Sequence, residues 1–106
     1  NLNKTTLTNV KIIKNILTNI IPHKINLKLP NDLEIMNKKV CGILQEIIYK
    51  DEIKFLIIGV GLNIKSSPKL KEYETTYINK YNNKINRSKM VHFIKNKFEN
   101  KYSYYA

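Results

Sequence analysis

Only one cysteine occurs in this 106-residue chain, so an internal disulfide is excluded. The two histidines, His23 and His92, are far apart in sequence and in different contexts, and no Cys/His cluster at metal spacing is present, so no structural zinc is expected. Lysines and asparagines interrupt every hydrophobic segment, and no apolar run approaches the ~18 residues that a membrane span needs. A secretory h-region is also missing, which with the lone thiol predicts a cytoplasmic protein. The chain opens on Asn1 rather than Met, which predicts a piece of a longer polypeptide. Acidic residues are few, 8 against 19 Lys and Arg, for a formal charge of +11. Arginine is almost absent, with Arg87 alone among the cations, although arginine is the better residue for bidentate phosphate or base contacts. Lys, Asn and Ile together make up 50 of the 106 residues, and all three can be encoded with A and T only. Base composition therefore accounts for much of the charge, and the lysines form no dense run. A solvated basic surface is favoured, with a small nucleic-acid-binding module as the competing class.

What is present is globular: 42 % hydrophobic and 25 % charged residues, in a length that suits one domain. Over residues 5–21, Leu7, Val10, Ile13, Leu17, Ile20 and Ile21 recur at helical steps, and Pro22 ends the helix. Residues 24–29 alternate, with Ile25, Leu27 and Leu29 on one side, as in a half-buried strand stopped by Pro30-Asn31-Asp32. Residues 33–36 form a short strand, Asn37-Lys38 a turn, and residues 39–49 a mostly buried strand. After the turn Lys50-Asp51-Glu52, residues 53–64 are the most apolar of the chain and read as a central strand, giving an antiparallel hairpin. Residues 65–83 read as a long polar connection. Asn86 or Ser88 caps a last helix carrying Met90, Val91, Ile94 and Phe98, and residues 102–105 form a frayed end. The order helix, four strands, loop, helix predicts one α+β unit with a mainly antiparallel sheet.

Two groups of residues could carry chemistry. Gly59, Gly61 and Asn63 alternate along one strand and so share one face, which offers a flat ligand two positions without side chains followed by an amide. A bulge or a close packing point is the commoner use of such glycines. Lys28, Asn31, Asp32 and Lys39 bring cations near a carboxylate on a fixed turn, which suits phosphoryl or adenylyl transfer, although Pro-Asn-Asp by itself is more often a plain turn.

Taken in order, Lys28-Leu29-Pro30-Asn31-Asp32, then Lys39-Val40-Cys41-Gly42-Ile43-Leu44-Gln45-Glu46, then Ile57-Ile58-Gly59-Val60-Gly61-Leu62-Asn63-Ile64 resemble the biotin protein ligase family. That family's pattern is K-W-P-N-D, then K-(L/I/V)-(A/C)-G-I-L-x-E, then a strand ending G-x-G-x-N. The resemblance covers residues from about 5 to 100 and implies a fold similar to class II aminoacyl-tRNA synthetases. It implies two half-reactions: biotin and ATP give biotinyl-adenylate, and a lysine of the biotin carboxyl carrier protein then takes the biotin. ATP, Mg2+ and biotin are the implied ligands, and the carrier protein the implied partner. Residue by residue, Lys39 is similar to the active-site lysine that contacts the biotin carboxyl and the phosphate, and Asp32 to its catalytic companion. Gly42 and Ile43 resemble backbone contacts to biotin, while Lys28, Asn31, Gly59, Gly61 and Asn63 resemble the adenylate side. A lipoate ligase of the same fold fits the three blocks less well.

The chain also departs from the pattern. Leu29 stands where the family has Trp, and strict alternation would put Lys39 and Gly42 on opposite faces unless a bulge lies near Gly42. The glycine- and arginine-rich loop G-R-G-R-x-G-R and the upstream Ser/Thr residues for biotin's ureido ring have no counterpart here, nor do the helix-turn-helix and the β-barrel of some members. Residues 1–106 are therefore expected to be the C-terminal half of a catalytic domain, inactive alone. Cys41 reads as a packing residue.

Overall fold

The structure, a computed structural model, describes residues 4–102; the expectation for residues 103–105 lies outside them. Its elements are α1 (Lys4–Ile20), β1 (Ile25–Lys28), β2 (Asp32–Ile35), β3 (Lys38–Lys50), β4 (Ile53–Leu62), a 3-10 turn (Ile78–Lys80) and α2 (Arg87–Tyr102). The four strands form one sheet in the order β1-β2-β3-β4, with every neighbouring pair antiparallel. This is the α+β architecture that the hydrophobic periods predict.

The core forms where the apolar stripe of α1 meets one face of the sheet. Val10, Ile13, Ile16 and Leu17 of α1 are buried with Ile25, Leu33, Ile35, Val40, Cys41 and Ile43, and Ile78 and Met90 join them. Asn9 is buried among them: it donates to Gln45 on β3 at 2.6 Å and accepts from the Tyr102 hydroxyl of α2, so both helices are tied to the sheet. Asn86 caps α2 by accepting from the Lys89 N–H at 2.8 Å. Val91 is exposed, and Phe93 takes the inward place expected for it.

The β2–β3 and β3–β4 turns each have two residues with positive φ, Met36-Asn37 and Asp51-Glu52, which is the turn that matches strand twist. The β2–β3 turn thus lies one residue before the expected Asn37-Lys38. Between Leu33 and Glu34 the pairing with β3 jumps from Cys41 to Lys39, so Val40 is the extra residue of a bulge. Val40 and Cys41 both turn into the core as a result.

Three expectations are corrected. β4 is the edge strand and not a central one, because among the described residues nothing pairs with its outer side. The distal half of β3 is exposed rather than buried, since Ile47, Ile48 and Tyr49 extend beyond the helices. The connection after β4 is more than a polar loop: Thr76 and Ile78 are buried, and Ile78 and Asn79 donate backbone bonds to Asn63 and Ile64 at 2.9 and 2.8 Å.

Candidate active site

On the face of the sheet opposite α1, the bulge decides which side chains meet. Asp32 pairs with Gly42, Gly42 with Gly61, and Leu44 with Gly59, so these residues alternate onto one face. Because Val40 is inserted, Lys39 joins that face too, and a Cβ built on Gly42 would lie 3.2 Å from both Cε and Nζ of Lys39. The predicted bulge is therefore present, and it is what brings Lys39 over Gly42.

The result is an open cleft of about 670 Å³ lined by Asn31, Asp32, Lys39, Gly42, Ile43, Gly59, Gly61 and Asn63, with Pro68, Leu70, Tyr73 and Thr75 along one wall. Lys28 is the one predicted site residue outside it; it pairs with Glu34 at 3.7 Å on the same face, one strand further out. Lys39 Nζ lies 3.4 Å from Asp32 Oδ1 and 5.3 Å from the centre of the Tyr73 ring. Partial burial pulls the lysine pKa down, but the Asp32 carboxylate and the Tyr73 side chain more than offset this, and the ammonium is held above its ordinary 10.5. The cleft thus holds a persistent cation beside one carboxylate.

Gly59 and Gly61 form a floor without side chains. Neither has a positive φ, the register is regular there, and added Cβ atoms would meet their nearest neighbours at 3.9 and 3.7 Å, ordinary contact distances. Neither a bulge nor close packing explains them, and what they leave open is the cleft itself. The two asparagines are partly engaged. Asn31 donates its amide to the Ile43 carbonyl while Ile43 N–H donates to the Asn31 carbonyl at 3.0 Å, which locks the β1–β2 turn onto β3. Ile43 therefore presents backbone already bonded to Asn31, with its side chain in the core. Asn63 donates to the Thr76 carbonyl at 3.1 Å.

The wall from Pro68 to Thr75 was not legible as part of a site. Beyond Leu62, residues 74–76 take over the place that β4 vacates: Lys39 N–H donates to the Glu74 carbonyl at 3.0 Å and Thr76 N–H to the Lys39 carbonyl at 2.8 Å. The available signal was length, since long connections in small domains commonly border function. Cys41 stays structural: burial foremost, with Asp32 adding to it, pushes its thiol up to about 12. Among the described residues no group of three or more His, Cys, Asp or Glu could hold a metal ion.

An antiparallel sheet backed by α1, with a lysine–aspartate pair above a glycine floor, places the chain with ligases of known fold. The chain belongs to the biotin/lipoate A/B protein ligase family, whose model matches residues 4–63. It is 34 % identical over 86 residues to the bifunctional ligase/repressor BirA of Bacillus subtilis, an alignment that takes in 76 % of this chain and 26 % of that protein. It thus spans about a quarter of the length of the curated relatives it matches. The apo biotin protein ligase of Aquifex aeolicus superposes with a TM-score of 0.69 at 26 % identity, over 92 % of this chain and 45 % of that one. The same enzyme in complex with biotin and ATP gives 0.70 at 26 % identity, over 90 % and 40 %. LipL1 of P. falciparum in complex with lipoate matches at 0.68 over 100 % of this chain and 33 % of its own, and at 22 % identity shows the shared fold alone.

Proposed function

We propose that the chain is part of the catalytic domain of a biotin protein ligase. In the first step a carboxylate oxygen of biotin attacks the α-phosphorus of ATP, the bond to pyrophosphate breaks, and biotinyl-adenylate forms. A lysine amine of the biotin carboxyl carrier protein then attacks the acyl carbon, AMP leaves, and the amine gives up a proton. The observation that carries this reading is convergence: residues of three separate sequence blocks line one cleft around a Lys39–Asp32 pair.

Each residue then has a task. Lys39 faces the negative charge that develops between carboxylate and phosphate, the term in which preorganised charge contributes most. Asp32 restrains Lys39 and orients the incoming amine. Gly42, Gly59 and Gly61 let the adenylate lie against the strands, while Asn31 and Asn63 fix the two ends of the cleft. Magnesium fits only as an ion carried by the nucleotide: Asp32 is the sole carboxylate lining the cleft and is already paired. It would supply charge neutralisation of the phosphates. No helix among the described residues is long and apolar enough to cross a membrane. The proposed enzyme is cytoplasmic and uses no specific nucleic acid.

The chain alone is expected to be inactive, because the sequence has no counterpart of the glycine- and arginine-rich loop that the resemblance assigns to shielding the mixed anhydride from water. Biotin is preferred over lipoate because the relatives above 25 % identity are biotin ligases or BirA. The test is acid-dependent exchange of labelled pyrophosphate into ATP, with biotin and with lipoate. It is run on the chain alone and on a Bacillus subtilis BirA in which this chain replaces the matching stretch. Exchange with biotin by the chimera only is the expected result. Exchange by the 106 residues alone overturns the division of labour, exchange with lipoate only overturns the substrate, and an inert chimera overturns the reading.

A further inference from the structure

Pro68, Leu70, Tyr73 and Thr75 border the cleft but lie beyond the stretch that the family model matches. We infer that Tyr73 is a positioning residue that, opposite Asp32, holds the Lys39 ammonium over the glycine floor. The inference rests on the reading of the cleft as the adenylate site.

A lysine ends in a point charge on four flexible carbons, and a single acidic partner fixes one direction only. Left with Asp32, the ammonium could fold down along β2 and leave the cleft. Two contacts from different directions and one vacancy hold it instead. Asp32 Oδ1 lies 3.4 Å from Nζ, the Tyr73 ring centre lies 5.3 Å away, within cation–π range, and the missing side chain of Gly42 leaves room for the lysine tip at 3.2 Å. The ring is itself held. The next residue, Glu74, accepts a backbone bond from Lys39 at 3.0 Å and pairs through its side chain with Lys38 at 3.6 Å. Two residues further on, Thr76 is buried and bonded to both Lys39 and Asn63. Tyr73 is therefore carried on a segment anchored to the backbone of the lysine it faces.

The ring has a signature that a purely structural tyrosine would not give: it shifts the resonances of the lysine beside it. In the 106-residue chain labelled with ¹³C-lysine, the ε-methylene of Lys39, assigned by its loss in Lys39→Met, is expected to carry an upfield ring-current shift. The shift should survive in Tyr73→Phe and disappear in Tyr73→Leu. Tyr73 is 40 % exposed, so neither substitution disturbs the core. In the BirA chimera, Tyr73→Leu should slow biotin-dependent pyrophosphate exchange about 3- to 10-fold, the scale of a partly desolvated cation–π contact. Tyr73→Phe should restore most of that rate, and in a Lys39→Met background Tyr73→Leu should have no further effect. A wild-type chain without the upfield shift, or an equal loss from Tyr73→Leu with and without Lys39, overturns the inference. An inert chimera together with a shift that follows the ring overturns the ligase reading and leaves the placement of Lys39 standing.

Discussion

At the scale of single residues, the glycines separate folding from chemistry most sharply. Glycine in a strand interior is unfavourable by roughly 0.5–1 kcal/mol relative to alanine. Gly61 has room for a methyl group, with its nearest neighbour, the Gly42 carbonyl, at 3.7 Å. Gly61→Ala should therefore raise the melting temperature of the chain slightly, while in the chimera it slows adenylate formation by about 10-fold or more, because the methyl fills the floor. A variant with unchanged exchange would show that nothing lies there. Lys39 tests the opposite property. Lys39→Met in the chimera should lower the exchange rate by ~10²-fold or more. Its stability cost has a defined pH window. The folded pKa is raised, so the Asp32 pairing is fully present below 10.5 and is lost as pH climbs through the raised value. The stability gap between wild type and Lys39→Met should be flat from neutral pH to about 9 and narrow only above 10.5, as read from chemical denaturation across that range. A gap that closes at neutral pH would mean that the pair is not formed.

At the scale of elements, local pattern was readable and non-local pairing was not. Helix α1 announced itself because Val10, Ile13 and Leu17 each follow the last by a helical step, and β3 and β4 because a short polar turn separates two apolar runs. The bulge at Val40 was accessible only through a conflict, since Lys39 and Gly42 could share a face in no regular strand. The wall around Tyr73 was marked by the length of the connection alone, because residues 74–76 are held by backbone bonds to Lys39 that depend on where β4 stops. The β2–β3 turn was placed one residue late because Met36 adopts a positive φ, 53°, and the β3–β4 turn, placed correctly, holds Glu52 at 65°, although neither is a usual residue there. The β3–β4 turn is thus strained at a known place. Left-handed backbone costs a non-glycine residue about 1 kcal/mol or more, so Glu52→Gly should stabilise the chain by about 1 kcal/mol in thermal or urea unfolding. An unchanged midpoint would mean that the turn relaxes in solution.

At the scale of the whole molecule, the apolar content of β4 is a burial signal that the chain does not itself fulfil. Such a strand reads as central, yet it is an edge, and its hairpin extends past the helices with Ile47, Phe55, Leu56 and Ile57 all exposed. On the cleft face Ile57 lies opposite Glu46 and Phe55 opposite Ile48, while Leu56 and Ile47 pair on the other face, so the hairpin is apolar on both sides. An edge that is long, apolar and without a charge between Phe55 and Leu62 has open backbone donors and acceptors as well, and that combination favours pairing with another strand. The isolated chain should therefore self-associate, with a sedimentation coefficient that rises with concentration through the micromolar range. Lysine at Phe55 and Ile57 places charge on the exposed face without touching the core formed by α1, so Phe55→Lys with Ile57→Lys should shift the chain towards monomer while leaving its circular dichroism unchanged. A wild-type chain that stays monomeric at all concentrations would show that the hairpin tolerates water on both faces. Association that survives both lysines would place the contact elsewhere, and the α1–α2 groove around Ile16, Ile20 and Phe93 would be the next surface to substitute.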